Sequence, residues 1–430
     1  MKTEQLYEIF RKSAGVSTDS RTINKGEMFF SLWGNNHNGN QYAAQALGKG
    51  ACCAVIDDPL YESEGTILVD DCLFELQALA THYRKELNIP LLAISGTNGK
   101  TTTKELITAI LSRSRKVHSS RANLNNHIGM PLSILSAPPD TEIMVIEMGA
   151  NHQGEIRSLC MIARPDYGII TNIGTAHLEG FGTFENVVRA KTELYEYLRK
   201  ANGVAIYNDG NPLLSEQIFR MVNRAVPYSA PDGTSLKIEA VSAKPYLIAK
   251  ARYHNNEYLI NTRFFGRHNL ENIMAAIAAS LFLGADISDA VSAIEAYNPD
   301  SNRSQIKDTG KNILYCDAYN ANPDSMRRAI EAFNEIEAGK KLVILGDMLE
   351  LGSRSYDEHL YILRMMNSLG ISNVMLVGPV FKSAAKNFGY KTFNDTDRLK
   401  EYLLIKPVEG AHILVKGSRG MKLEKIYDVL

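Results

Sequence analysis

The stretch Ile94-Ser95-Gly96-Thr97-Asn98-Gly99-Lys100-Thr101-Thr102-Thr103 decides how this chain is read. It follows Pro90-Leu91-Leu92-Ala93-Ile94, an apolar run that reads as a short buried strand. It leads into Lys104-Glu105-Leu106-Ile107-Thr108-Ala109-Ile110-Leu111, whose apolar positions 106, 107, 110 and 111 share one helical face. Strand, glycine-rich turn, Lys-Thr and helix form the layout of a phosphate-binding loop. The glycines let backbone N–H groups crowd around a polyphosphate, and the helix N-terminus adds a partial positive charge. Lys100 is then placed to reach the β- and γ-phosphates, and the Thr101 hydroxyl to sit on a Mg²⁺ ion. The spacing G-x-x-x-x-G-K-T would put glycine at position 94, where this chain has Ile. The plain alternative is a helix start with a glycine-rich entry and no ligand. The strand before it and the helix after it favour a nucleoside triphosphate site.

At 430 residues, a length for about two to four domains, the chain has 45% hydrophobic and 22% charged residues, an ordinary globular balance. A net charge of −1 gives no electrostatic reason to expect nucleic acid or an anionic membrane as partner. Cys52, Cys53, Cys72, Cys160 and Cys316 are odd in number and form no C-x-x-C pair. That argues against a zinc site or a disulfide framework and for reduced thiols in a cytoplasm. Met1 to Gln5 leads into no apolar signal segment. The longest apolar run, Met274 to Ala285, falls short of the roughly eighteen residues of a membrane span.

Residues 1 to about 88 read as a small α/β unit, with strands at Phe29 to Leu32 and Ala51 to Ile56 and a helix at Tyr42 to Gly48. Asp19-Ser20-Arg21 within it is a turn or a helix cap by pattern alone, or else a polar clamp on a ligand. From about 89 to 298 strands and helices alternate, as in a largely parallel sheet covered on both faces. Ile143 to Met148 is a strand ending at Glu147, and Tyr167 to Ile173 is another, followed by His177. Open α/β sheets bind ligands at the carboxyl ends of their strands. Glu147, His177 and the glycine-rich loop therefore converge on one rim, where a carboxylate is the usual magnesium-holding helper of a phosphate loop. A helix is expected over Phe184 to Lys200; periodicity makes Lys191 in it a surface lysine. Residues 215 to 265 read as a helix and several antiparallel strands, before a long apolar helix through Leu283. After a turn-rich break at 297–303, strands at Ile313 to Asp317, Lys341 to Leu345, Val374 to Val377 and His412 to Val415 form a second doubly wound unit. Its polar strand ends are expected to face a cleft shared with the triphosphate site.

Several motifs, in order along the whole chain, resemble those of the Mur ligases. They are Gly96-Thr97-Asn98-Gly99-Lys100-Thr101-Thr102, Asn123-Leu124-Asn125-Asn126-His127-Ile128-Gly129, Glu147-Met148-Gly149-Ala150-Asn151-His152, Ala176-His177-Leu178-Glu179-Gly180-Phe181-Gly182 and Asp317-Ala318-Tyr319-Asn320-Ala321-Asn322-Pro323. All but the first resemble in particular the member that adds D-alanyl-D-alanine; the Asp-Asn-Pro-Arg signature of the member that adds a diamino acid does not occur. The resemblance implies an α/β fold of three domains. These are a small α/β N-terminal domain binding the UDP-substrate (1–88), a central P-loop ATPase-type domain with a mostly parallel sheet (89–298) and a Rossmann-like C-terminal domain (299–430).

The resemblance also assigns roles. Lys100, Glu147, His177 and Lys191 would be catalytic, with Thr101, Glu147, His177 and Lys191 around Mg²⁺ and Lys191 carbamylated by CO₂. Gly96, Thr97, Asn98, Gly99, Lys100, Thr101 and Thr102 would hold the phosphates of ATP; His268 and Asn269 would lie near the adenine, and Arg303 and Asp317 would touch the nucleotide. Asp19, Ser20, Arg21, His37 and Asn38 resemble uridine-diphosphate contacts, while Asn125, Asn126, Asn320 and Asn322 fall in substrate-facing motifs. At the linker the family's usual Gly-Arg is Asn302-Arg303 here.

The activity implied is ATP-dependent joining of D-alanyl-D-alanine to UDP-N-acetylmuramoyl-tripeptide, through an acyl phosphate, by a cytoplasmic monomer that makes peptidoglycan precursors. A carboxylate is a poor electrophile, so activation by ATP followed by amine attack needs positioning and charge neutralisation more than a covalent triad. The alternatives are another amide ligase of the same family, acting on an earlier muropeptide or on folate, and a P-loop regulatory protein that hydrolyses nucleotide only to change shape.

Overall fold

The computed structural model describes residues 3–121, 124–175, 178–299 and 302–430. Three parallel or mostly parallel sheets follow one another along the chain. The first joins Val16–Ser17, Met28–Phe30, Cys53–Ile56 and Thr66–Leu68, all parallel. The second runs, edge to edge, Ala225–Pro227, Val204–Tyr207, Tyr167–Ile170, Leu91–Ser95, Ile143–Glu147 and Val117–Ser119, again all parallel. The third places Ile313–Asp317, His412–Lys416, Lys341–Gly346, Val374–Val377 and Lys391–Phe393 in parallel, with Gln305–Asp308 antiparallel at one edge.

Parallel strands are buried on both faces, and the period of two assigns alternate side chains to opposite cores. In Leu91–Ser95, Leu91 and Ala93 enter one core while Leu92 and Ile94 enter the other. Met144 and Ile146 against Ile143 and Val145 repeat the division. In the third sheet Val343 and Leu345 face one side, Leu342 and Ile344 the other. The first core is continuous from Leu6 and Phe10 through Met28 and Leu76 to Ile146 and Leu194, so the N-terminal sheet is packed against the central one and not merely tethered to it. Phe265, at the end of strand Asn256–Phe265, crosses the other way: its ring meets Tyr315 edge-on at 4.8 Å, inside the core of the third sheet.

The expected strands at 143–148, 313–317, 341–345, 374–377 and 412–415 are found within a residue or so, and the helix at 184–200 is found as Phe184–Lys200. The antiparallel strands expected within 215–265 are Leu236–Ser242, Tyr246–Tyr253 and Asn256–Phe265. Val117–Ser119, Ala225–Pro227 and Lys391–Phe393 were not anticipated: three-residue edge strands carry too little pattern to read. Tyr167–Ile170 stops three residues early, and the chain turns off at Thr171. That turn shapes the site.

Candidate active site

Ile94 is fully buried in its strand, so the turn is confined to Gly96–Gly99 and needs no glycine at 94. Gly99 caps the following helix Lys100–Leu111 at φ +80°, and a Cβ there would stand 2.1 Å from Asn272 Oδ1. Only glycine meets both conditions. The loop is braced from the early end of the neighbouring strand. Asn172 Oδ1 accepts from Asn98 N at 2.9 Å, Asn172 Nδ2 donates to Asn98 O at 3.1 Å, and Thr171 Oγ1 donates to the same carbonyl at 2.6 Å. Lys100 Nζ curls over the turn and donates to Gly96 O at 2.8 Å and Thr97 O at 3.0 Å. Burial lowers its pKa, opposed by the Glu147 carboxylate.

Glu147, 3% exposed at the end of its strand, accepts from Thr101 Oγ1 at 2.5 Å and from Asn125 Nδ2 at 2.7 Å. Sequence placed Thr101 and Glu147 on one rim; the structure joins them directly. Their carboxylate and hydroxyl oxygens are hard donors of the kind magnesium takes. Among the described residues no three His, Cys, Asp or Glu side chains form a cluster that could hold a metal ion. His177, expected at this rim, lies outside the described residues.

Lys191 overturns the reading from periodicity: it is 2% exposed, not on the surface. Its Nζ donates to Ala150 O at 3.2 Å and stands 5.5 Å from the centre of the Phe181 ring. Burial first, then the Lys100 charge, pulls its pKa down to about 7, against the pull of Glu155, Glu147 and Glu193.

A cavity of about 940 Å³ gathers this rim and the ends of the third sheet. From the central unit it is lined by the loop residues Thr97 to Thr102 with Asn125, Asn126, Glu147, His268 and Asn269, and from the C-terminal unit by Arg303, Asp317, Asn320 and Asn322. The two sides touch: Asn322 Nδ2 donates to Asn98 Oδ1 at 2.8 Å, while Asn322 Oδ1 caps the helix Pro323–Asn334. Both ends of the Asn322 side chain are therefore engaged in holding the protein together. Asp317 is paired with Lys416 Nζ at 2.5 Å, and the Arg303 guanidinium lies 3.4 Å from the centre of the Tyr319 ring. Asn302, where the family usually has glycine, has φ +59°, a left-handed conformation that asparagine tolerates better than most residues. The Asn302-Arg303 departure thus keeps the backbone turn.

His268 lies beside Ser304, with Nε2 3.2 Å from Ser304 Oγ, while its Nδ1 has no hydrogen-bond partner among the described residues. Burial pushes its pKa down to about 4, so the ring is neutral near pH 7. Asn269 is buried, with Nδ2 on Phe265 O at 2.8 Å.

Asp19, Ser20, Arg21, His37 and Asn38 do not line this cavity. Asp19 pairs with Arg21 at 2.7 Å, and that hydrogen bond holds its carboxyl at about 2. Ser20 Oγ donates to Gln45 Oε1 at 2.9 Å. Asn38 caps the turn Gly39–Tyr42 beside His37, which is exposed. Elsewhere in the N-terminal segment, Gln77 Nε2 donates at 2.9 Å to the carbonyl of His127, which lines the cavity. Reading the sequence missed Thr171, Asn172, Asn272, Tyr319 and the segment 349–351; only the spatial neighbourhood of the loop singles them out.

A glycine-rich loop between strand and helix, a buried carboxylate on its Thr hydroxyl and a second α/β unit across the cavity from both make the cleft of a two-lobed enzyme. Residues 94–280 match the Mur ligase middle domain and residues 302–419 the Mur ligase, glutamate ligase domain. A UDP-N-acetylmuramoyl-tripeptide–D-alanyl-D-alanine ligase of Bacillus subtilis is 35% identical over 96% of this chain and 92% of its own. The crystal structure of MurF from Acinetobacter baumannii superposes with a TM-score of 0.87 at 28% identity, over 99% of this chain and 98% of that one. MurF ligase from Thermotoga maritima, in complex with ADP, gives 0.84 at 26%, over 100% and 98%. The chain belongs to the Mur ligase family.

Proposed function

We propose that this chain is an ATP-dependent amide ligase joining D-alanyl-D-alanine to UDP-N-acetylmuramoyl-tripeptide, with release of ADP and phosphate, in the cytoplasmic synthesis of peptidoglycan precursors. The observation that carries the reading is the single cavity in which Lys100, Glu147 and the polar strand ends of the third sheet meet. Likeness over nearly the full length to ligases bearing that name supports the choice of substrates.

The terminal carboxylate of the tripeptide takes the γ-phosphoryl group, and the resulting acyl phosphate carries a good leaving group. The dipeptide amine adds to the carbonyl, the C–O bond to phosphate breaks, and the amine proton is lost. Lys100 exchanges its two loop carbonyls for phosphate oxygens, and the backbone N–H groups of the loop and helix start neutralise the rest. Glu147 and Thr101 would hold Mg²⁺, which supplies further charge neutralisation when bound. Lys191, held near neutrality by burial, offers the free amine that CO₂ requires, which supports its carbamylation. The orphaned Nδ1 of His268 supports a place beside the adenine. Asp19, Ser20, Arg21, His37 and Asn38 would serve the uridine diphosphate. Asn125, Asn126, Asn320 and Asn322 would face the substrates, Asn322 through its hold on Asn98.

The division into 1–88, 89–298 and 299–430 is part of the same reading, supported by one parallel or mostly parallel sheet in each segment. A monomer suffices, since both walls of the cavity come from one chain. The test is ADP release with the UDP-tripeptide across a panel of amines: D-alanyl-D-alanine should be used at least tenfold better than any single amino acid. Preference for a single amino acid points to a sister ligase, and turnover indifferent to amines points to a switch.

A further inference from the structure

A second cavity, of about 550 Å³, lies at the far end of the central sheet from the triphosphate loop. Tyr167 and Val204, the first residues of strands Tyr167–Ile170 and Val204–Tyr207, line it, whereas the loop follows the last residue of Leu91–Ser95. These strands are parallel, so the two cavities open at opposite ends of one sheet. Arg84, Lys85, Arg164 and Arg224 line the second cavity, and Asp166 is the one carboxylate among its described lining residues. Four cations against one carboxylate leave a net charge of +3 in a chain whose total is −1.

Helix ends account for only part of that excess. Helices Cys72–Leu87, Glu155–Ala163 and Phe184–Lys200 end at this rim, each with roughly half a negative charge at its C-terminus. The end of a fourth, Leu270–Phe282, is served from outside the cavity, where Arg115 Nη2 donates to Leu283 O at 2.7 Å. Asp166 is also compensated: its Oδ2 accepts from Arg84 Nη2 at 2.9 Å and from Leu91 N at 2.9 Å.

Arg84 is 6% exposed, and its Nε donates to Ala163 O at 3.0 Å. Its Nη1 has no hydrogen-bond partner among the described residues, so a deeply buried guanidinium on the cavity wall keeps one donor unspent. The Arg164 side chain, exposed at the rim, makes no hydrogen bond or ion pair among the described residues. Arg164 has φ +49°, the left-handed position after helix Glu155–Ala163 where glycine is the usual residue. An arginine kept there against its backbone preference marks a side chain with a task. Arg224, also exposed, donates from Nη1 to Asn202 O at 3.3 Å, and the rings of Tyr197 and Phe282 supply apolar wall.

We propose that this cavity binds the phosphate group of a small molecule, held by Arg84, Arg164 and Arg224, with the body of the molecule against Tyr197 and Phe282. Guanidinium forks are the groups best shaped for phosphate oxygens. The volume falls in the range of small-molecule sites and exceeds what one phosphate fills, which favours a phosphomonoester over the free ion. Arg84 comes from the N-terminal segment and Arg164 and Arg224 from the central one, so the ligand bridges two units. The site is separate from the ligation chemistry and stands whether or not that reading does.

The test is calorimetric titration of the full chain, its triphosphate site filled with ADP and Mg²⁺, with phenyl phosphate and with inorganic phosphate. One phenyl phosphate should bind per chain with a Kd of about 1 mM or below. A phosphomonoester site should hold it about tenfold tighter than inorganic phosphate, because the ring buries apolar surface; equal affinities would make the free ion the ligand. R164Q and R224Q should each weaken binding about tenfold, and R164K should recover part of the loss. Both positions are exposed, so ADP affinity should stay within about twofold of wild type and report an intact fold. Failure of both probes to bind overturns the proposal. So does binding that R164Q leaves unchanged, which would place the phosphate at the triphosphate loop.

Discussion

Lys100 and Lys191 are two buried lysines whose pKa values burial lowers, one placed by the local chain and one by distant elements. Lys100 is local: turn and helix start fix it, and its amine is held by carbonyls three and four residues back. Lys100→Ala should abolish ligation, with turnover falling below about one-thousandth, because the transferring phosphoryl group loses its main cation. Binding of the UDP-tripeptide, measured by calorimetry, should persist within severalfold; retained turnover would place the ATP site elsewhere. Lys191 is not local. Phe181 and the Ala150 carbonyl come from other elements, and burial depresses its pKa from 10.5 to about 7. Between those values the unfolded chain holds a proton that the native chain has released. This residue therefore makes stability rise with pH from about 7 toward 10.5, and its penalty is complete below 7. Urea midpoints measured at pH 7 and pH 9 should move further apart for the wild type than for Lys191→Met. Equal separation in the two proteins would show that the native amine is an ordinary one.

At the scale of elements, the helix Pro323–Asn334 ties one lobe to the other through its cap. Asn322 Oδ1 accepts from Ser325 N at 2.9 Å, and its Nδ2 reaches Asn98 across the cleft. Asn322→Ala should cost about 1–2 kcal/mol in thermal unfolding from the lost cap. It should also weaken the closed arrangement, raising the KM for ATP severalfold. Asn322→Asp keeps the cap acceptor but loses the amide donor, so it should recover the stability and not the KM. An Asn322→Asp variant with wild-type KM would remove the interlobe bond from the account. The strand–turn–helix of residues 91–111 was legible because everything that defines it lies within twenty or so residues: a doubly buried strand, two glycines and an amphipathic helix. Strand ends carrying Glu147 and Asp317 were legible for the same reason. Lys191 was not, because its helical face became buried only when Phe181 folded over it. Thr171 and Asn172 looked like strand in the sequence; they leave the sheet to brace Asn98, a tertiary demand with no local signature. Glu350 was missed because nothing in Met348-Leu349-Glu350-Leu351 signals a left-handed residue.

For the whole molecule, the unequal joints between units are the informative feature. The first sheet shares a hydrophobic core with the central one, whereas the third keeps its own two cores and meets the centre through Phe265, Asn322 and the Glu350 loop. Movement is therefore expected where the C-terminal unit meets the central one and not near residue 88. Small-angle scattering should show a compaction when ATP and UDP-tripeptide are added together, and Phe265→Ala should enlarge the unliganded radius of gyration; an unchanged radius in both cases would mean the lobes are rigidly joined. Such a closure would exclude water from an acyl phosphate that would otherwise hydrolyse. No described helix is long and apolar enough to cross a membrane. The most direct measurement is phosphate release by the purified protein with ATP and UDP-N-acetylmuramoyl-tripeptide, with and without D-alanyl-D-alanine. The account predicts release that depends on the dipeptide and matches, one for one, the amide product seen by mass spectrometry. Equal release in its absence, or dipeptide-stimulated release with no new amide, would contradict it.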